Sequence, residues 1–146
     1  MNKNKAIFLD RDGTVNLDVG HLKRDEDLVL LDGVSQAIRL INESSYLCIV
    51  ITNQPVIARG ECSFADVDRF HSIIESRIGL EGAYFDRIYY CPHHPDAGFA
   101  FERPELKIIC KCRKPDIDLL LRAGTDFNID FSINYIYYCI KHLNTV

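Results

Sequence analysis

The sequence predicts an α/β fold, a Rossmann-like parallel sheet with helices on both faces, and two observations carry that expectation. Apolar runs without strict alternation occur at residues 6–9 (AIFL), 47–51 (LCIVI) and 88–91 (IYYC), the pattern of strands covered on both faces. Segments of helical periodicity separate them. Strand and helix therefore alternate, which implies right-handed crossovers and parallel pairing.

The first helix is expected over 32–44, where Val34, Ala37, Ile38 and Ile41 recur at helical spacing after an Asp-Gly that can cap the start. In SFADVDRFHSIIESRI, Ser63 and Asp66 have the spacing of a capping box, and Val67, Phe70, Ile74 and Ile78 line one face. A third helix is expected to begin at Pro115 and Asp116 and to end at Gly124, with Ile117, Leu120 and Leu121 inward. A last strand follows at 135–140.

At 146 residues the chain reads as a single domain, 1–146, long enough to bury a core. A hydrophobic content of 47% with 26% charged residues is that of an ordinary globular protein. The net charge of −4 and the lack of a basic stripe give no reason to expect nucleic acid as a partner. No apolar run approaches the roughly 20 residues that span a bilayer, and the leader MNKNK is shorter than a signal peptide. The expectation is a cytoplasmic monomer with no membrane contact. Of six cysteines, three fall in the patterns CPHHP and CKC, which suits metal binding in a reducing compartment better than disulfides.

Ligands of parallel sheets bind at the carboxyl ends of the strands. That rule places Asp10 and Asp12 of FLDRDGTVN on one rim with Thr52, Asn53 and Gln54, because each group follows its strand directly. Asp10 and Asp12 are separated by one residue, so an extended end points both the same way. Two close carboxylates repel, and a cation or a shared proton relieves that. Asp-Gly is also a common turn dipeptide, which Gly13 and Thr14 fit equally well. Further along, Cys91, His93, Cys110 and Cys112 form a C-x-H and C-x-C set whose soft donors suit tetrahedral Zn²⁺, with His94 as an alternative to His93. Four protein ligands would close the shell, so such a zinc is structural. It would pin the loop 94–109 and present Arg113 and Lys114.

FLDRDGTVN resembles the first motif of the haloacid dehalogenase superfamily of phosphotransferases, D-x-D-G-T. The resemblance implies that Asp10 attacks phosphorus and that Asp12 protonates the leaving oxygen and then activates water, with Mg²⁺ held by Asp10 and Asp12. It makes Thr52 the second-motif hydroxyl that holds phosphate oxygens, and Lys114 the third-motif cation. The chemistry is consistent: a carboxylate approaching a phosphate dianion needs a metal to offset repulsion, and an aspartyl-phosphate splits one hard step into two. Charge stabilisation is what phosphoryl transfer chiefly requires.

Taken together, FLDRDGTVN, VITNQPVIARG, YYCPHHP and CKCRKP resemble the D-glycero-D-manno-heptose 1,7-bisphosphate 7-phosphatases over residues 5 to about 130. This implies removal of the C7 phosphate on the route to nucleotide-activated heptose for lipopolysaccharide or other surface glycans. It implies substrate contacts from Asp18, Val19, Gly20, His21, Asn53, Gln54, Arg59 and Arg113, with an Arg fork suited to a second phosphate. Histidinol-phosphate phosphatases share the first motif and a similar zinc loop, but the IARG segment, 57–60, favours the heptose enzymes. Pro55 and Val56 stand where those enzymes commonly have Ser-Gly.

The pattern breaks near the end. The superfamily's fourth motif supplies an Asp to the Mg²⁺ site, whereas here Tyr138 replaces its Gly and Cys139 its Asp, and no acid follows Asp130. A thiol is a poor ligand for a cation that prefers oxygen. The domain is thus expected to be incomplete after about residue 130, with Tyr135, Ile136, Tyr137 and Tyr138 as an apolar edge that invites association. A non-catalytic, zinc-binding remnant is the alternative to a working phosphatase.

Overall fold

The computed structural model describes residues 3–132 and the backbone of 135–137. Its strands are β1 (Lys5–Leu9), β2 (Tyr46–Asn53), β3 (Arg87–Cys91) and β4 (Tyr135–Tyr137), joined in one parallel sheet of order β3-β2-β1-β4. The register sets Leu9 between Val50 and Tyr137, and Asn53 beside Cys91.

Alternation along β2 divides the core in two. Cys48 and Val50 face Val34 and Ile38 of α1 (Val34–Glu43) and Val67, Phe70, Ile74 and Ile78 of α2 (Phe64–Gly79). Ile49 and Ile51, with Phe8 of β1, face Leu119, Leu120 and Ala123 of α3 (Asp118–Phe127). Both faces of β1 and β2 are therefore covered, which is why these strands read as unbroken apolar runs.

The chain steps from β1 to β2 to β3 in one direction and then returns to place β4 on the other side of β1. The strand order reverses beside β1, and the crevice outside that strand's carboxyl end is where such sheets take ligands. Asp10 is the first residue beyond it.

The helices match their expected positions unevenly. At the start of α2 the Ser63 hydroxyl accepts the Asp66 N–H at 3.1 Å, and the Asp66 carboxylate accepts the Ser63 N–H at 2.8 Å, a complete capping box. In α1 the start lies two residues later than Asp32, and Ala37 is exposed on an open groove lined also by Leu9, Thr14 and Leu31. The third helix departs most. It begins at Asp118, because Ile117 has non-helical dihedrals, so the buried stripe shifts to Leu119, Leu120 and Ala123 while Ile117 and Leu121 are exposed.

Gly124 does not end α3. A Cβ there would lie 2.4 Å from the Phe131 ring, so the glycine admits the returning chain, and Asn128 in the left-handed conformation ends the helix instead. Of the strand expected at 135–140, the backbone of Tyr135–Tyr137 is β4. Tyr138 and Cys139, the side chains of the expected apolar edge, and the rest of the segment lie outside the described residues. No helix among the described residues is long and apolar enough to cross a membrane.

Candidate active site

Beyond β1 the chain folds back at once: the N–H groups of Thr14, Val15 and Asn16 converge on the Arg11 carbonyl at 3.2, 2.8 and 3.2 Å. This turn separates the two acids by partner. Asp10, nearly buried, accepts the Arg11 N–H on Oδ1 at 2.7 Å and pairs through Oδ2 with Lys114 Nζ at 2.8 Å. Asp12 accepts Arg11 Nη2 and Nε on Oδ1 at 2.7 and 3.2 Å, Asn16 Nδ2 on the same oxygen at 3.0 Å, and Gln54 Nε2 on Oδ2 at 2.9 Å. Each acid has its own cation. The repulsion that their spacing implies is relieved by two cations rather than by a shared proton.

Burial alone would raise the Asp12 pKa, but the Arg11 charge and the hydrogen bonds from Arg11, Asn16 and Gln54 together hold it below the usual carboxylate value.

Lys114 reaches Asp10 from a loop far along the chain, and Asn53 at the end of β2 secures that loop. Its Oδ1 accepts the Lys114 N–H at 2.9 Å and its Nδ2 donates to the Lys114 carbonyl at 3.2 Å. Beside it Gln54 Nε2 also donates to the Thr52 hydroxyl at 2.9 Å. Asp10, Asp12, Thr52, Asn53, Gln54 and Lys114 thus meet at one rim.

A second cluster surrounds Arg59. Its Nη1 lies 2.7 Å from His21 Nε2, its Nη2 lies 3.1 Å from His94 Nε2, and its guanidinium sits 4.6 Å from the Phe99 ring centroid. Arg59 Nε is buried with no hydrogen-bond partner, and no carboxylate pairs with this guanidinium among the described residues. Burial, with Arg59 next in effect, depresses the His21 pKa; burial and the charges of Arg113 and Arg59 do the same for His94. Both rings are held neutral, so they do not add to the positive charge. Asp18, Val19 and Gly20 occupy an exposed turn in which Asp18 Oδ1 accepts the Gly20 N–H at 2.9 Å, and no side-chain bond joins them to the acids.

Cys91 ends β3, and Cys110 and Cys112 come from the loop that follows. Sγ of Cys112 lies 3.2 Å from that of Cys91, 3.3 Å from that of Cys110 and 3.2 Å from His93 Nδ1. All four ligand atoms lie within 4.8 Å of one another. A tetrahedral zinc with Zn–S of about 2.3 Å requires S···S edges of about 3.7 Å, so these residues fit the metal with little adjustment. His94 is not a member of the set but turns to Arg59. The loop between the ligands lies across the segment carrying Arg59: the Arg103 N–H donates to the Ala58 carbonyl at 2.8 Å, and a Cβ on Gly60 would meet the Phe101 carbonyl oxygen at 1.7 Å. Only glycine permits that approach.

For Mg²⁺ the donor chemistry fits through the hard oxygens of Asp10 and Asp12. Every oxygen of the two carboxylates already faces a donor, the Arg11 N–H and Lys114 at Asp10 and Arg11, Asn16 and Gln54 at Asp12.

Sequence reasoning missed Arg11, Asn16, His71 and Phe99, and offered His94 only as an alternative zinc ligand, not as a partner of Arg59. His71 carried a visible signal: it lies four residues after Val67 and three before Ile74, a polar side chain inside an apolar stripe. Arg11 is the largest fully buried side chain, although its place between two acids suggests an exposed linker.

Paired carboxylates beyond the carboxyl end of β1, a hydroxyl near the end of β2 and a lysine against the first acid share one rim, and the fold that carries them is that of HAD-like phosphatases. The fold is shared with the crystal structure of a HAD-like phosphatase from Mesorhizobium loti, with TM-score 0.83 and 28% identity over 92% of this chain and 62% of that one. It is shared also with D,D-heptose 1,7-bisphosphate phosphatase from B. bronchiseptica complexed with magnesium and phosphate, with TM-score 0.72 and 29% identity over 87% of this chain and 65% of that one. D-glycero-beta-D-manno-heptose-1,7-bisphosphate 7-phosphatase of Yersinia pestis is 38% identical over 131 residues, covering 90% of this chain and 68% of that protein. The chain belongs to this heptose bisphosphate phosphatase family. It spans about two thirds of the length of the relatives it matches. No family model matches it.

Proposed function

We propose that this chain is a Mg²⁺-dependent phosphatase that removes the C7 phosphate of D-glycero-D-manno-heptose 1,7-bisphosphate, in the biosynthesis of nucleotide-activated heptose. The observation that carries the reading is the joint placement of Asp10, Asp12, Thr52 and Lys114 at the carboxyl end of β1 and β2. Asp10 is the nucleophile, and its Oδ2 faces the Lys114 ammonium. Lys114 and the Thr52 hydroxyl hold phosphoryl oxygens. Asp12 is the acid and base, and Gln54 orients it. Mg²⁺, held by Asp10 and Asp12, would offset the repulsion between carboxylate and phosphate dianion.

Arg59 supports the bisphosphate character of the substrate. A guanidinium bounded by two neutral imidazoles and an aromatic face, with its Nε unpartnered, pairs with no carboxylate among the described residues, and a second phosphate would complete it. Arg113, whose Nη1 reaches the His93 carbonyl at 3.4 Å, adds charge to the same side. Asp18, Val19, Gly20 and His21 border the sugar. Asn53 acts on substrate by fixing the Lys114 peptide. Zn²⁺ on Cys91, His93, Cys110 and Cys112 is structural, and thiolate ligands suit a cytoplasmic setting.

The test is ³¹P NMR of the heptose bisphosphate incubated with the chain and Mg²⁺. The expected result is loss of the C7 phosphomonoester signal with the C1 phosphate retained, abolished by Asp10→Asn. A chain that retains zinc but releases no phosphate in Mg²⁺, Mn²⁺ or Co²⁺ would instead be a zinc-binding protein without turnover. Release from histidinol phosphate in preference to the heptose would assign the other substrate class.

A further inference from the structure

Arg11 and His71 lie behind the acid rim, and neither belongs to the residues through which the phosphatase reading works. Arg11 is 1% exposed and His71 is 6% exposed. A buried guanidinium must place its N–H groups on acceptors, because each unsatisfied donor carries the full cost of desolvation. Arg11 does so in two directions. Nε and Nη2 go to one oxygen of Asp12, and Nη1 lies 3.3 Å from Nε2 of His71, which comes from the buried face of α2. Since an arginine only donates, Nε2 of His71 is the acceptor and carries no proton. The imidazole is fixed in turn by the Tyr90 ring, edge to face at 5.3 Å between centroids, and the Tyr90 hydroxyl donates to Asp68 at 3.0 Å.

We propose that Arg11 and His71 are positioning residues: His71 holds the Arg11 guanidinium, and Arg11 holds the Asp12 carboxylate in the orientation in which it serves as acid and base. The proposal rests on the assignment of Asp12 to that role. The Asp12 carboxylate is gripped by Arg11 and Asn16 on one oxygen and by Gln54 on the other. Removing the far anchor frees the arginine to swing, and the acid follows it. The brace runs from the body of a core helix to the rim, so the orientation of Asp12 is set by the packing of α2 against the sheet and not by the turn alone.

Leu and Gln at position 71 separate shape from hydrogen bonding, because the two are close in size and only Gln offers an acceptor. The expected result for His71→Leu is a fall in kcat on the order of 10- to 100-fold with KM unchanged, as for a misplaced catalytic group. His71→Gln should restore most of the rate. A purely structural role for His71 would lower the amount of folded protein and leave kcat per folded molecule and KM unmoved.

A second readout does not depend on turnover. In a ¹H–¹⁵N spectrum of arginine side chains, the Arg11 Nε–H, assigned by its loss in Arg11→Lys, should be resolved and slow to exchange in the parent and in His71→Gln. It should be exchange-broadened in His71→Leu. Protection retained in His71→Leu would overturn the brace, as would a kcat in that variant equal to the parent's. If the parent releases no phosphate, the assignment of Asp12 falls with it, while the spectrum still decides whether His71 holds Arg11. Should His71→Leu not fold, Tyr90→Leu, which removes the support of the imidazole from behind, is expected to weaken Arg11 Nε–H protection in the same direction, and unchanged protection there would also overturn the brace.

Discussion

The rim around Asp10 and the knot around Cys112 differ in what holds their residues in place. The rim follows from the sheet: Asp10 is the residue after β1, Thr52 and Asn53 end β2, and the charges of Asp10 and Asp12 are paired locally with Lys114 and Arg11. The knot takes only Cys91 from the sheet, since Cys110 and Cys112 lie outside any helix or strand and are placed by their approach to Cys91 and His93. A sheet edge fixes geometry through hydrogen bonds and core packing, whereas a closed metal shell fixes it through a few strong ligand bonds that can all be lost at once. The two regions are nevertheless joined. Lys114, two residues beyond Cys112, is the cation on Asp10. The rim therefore depends on the knot for one of its charges.

The largest effect expected from breaking this comparison on the rim side is that of Asp10→Asn. It should lower kcat on the order of 10⁴-fold or more, as loss of a nucleophile does, while zinc measured by mass spectrometry of metals stays at about one per chain. On the knot side, Cys112→Ser should lower zinc well below one per chain and cost several kcal/mol of stability in a denaturant titration, with phosphatase activity falling too. Zinc loss with full activity would show the regions to be independent.

Much of this arrangement was readable from the chain alone, and the reason differs by region. The strands were legible because both faces of β1 and β2 are covered, and the rim residues because they end those strands or come directly after them. The ligands of the knot were legible because sulfur and imidazole at that spacing have few other uses. What was not legible are pairings across long separations, such as Arg11 with His71 and Asn53 with Lys114, which periodicity does not encode. The phase of α3 was misread because Pro115 and Asp116 look like a helix start, whereas the chain first makes a turn that delivers Lys114 to Asp10 and only then becomes helical at Asp118.

Smaller effects sharpen the contrast by testing residues outside both regions. The Asp66 carboxylate is held well below the usual value by its hydrogen bonds to Ser63 and then to Arg69. A depressed folded-state pKa gives stability that is present above the ordinary carboxylate value of about 4 and is lost as pH falls through the folded value. The difference in denaturation midpoint between the parent and Asp66→Asn should therefore be constant from pH 7 to pH 5 and shrink below pH 4. A difference that persists unchanged at pH 2 would refute the cap's ionic character.

The Cys48 thiol is pushed up to about 12 by burial and by the nearby Asp86, whereas at Cys110 burial is outweighed by hydrogen bonds with Cys112 and Cys91, which hold its thiol below the ordinary value. With zinc chelated under native conditions at pH 8, iodoacetamide should modify Cys110, which is part-exposed, and leave the buried Cys48 unmodified, as read by peptide mass spectrometry. Equal labelling of Cys48 would place it outside the core.

The link between the two regions is tested most directly by a double-mutant cycle on kcat with Cys112→Ser and Lys114→Ala. If the knot serves the rim by delivering Lys114 to Asp10, the loss caused by Lys114→Ala in the parent should largely vanish in the Cys112→Ser background. Fully additive losses in the two backgrounds would contradict that account.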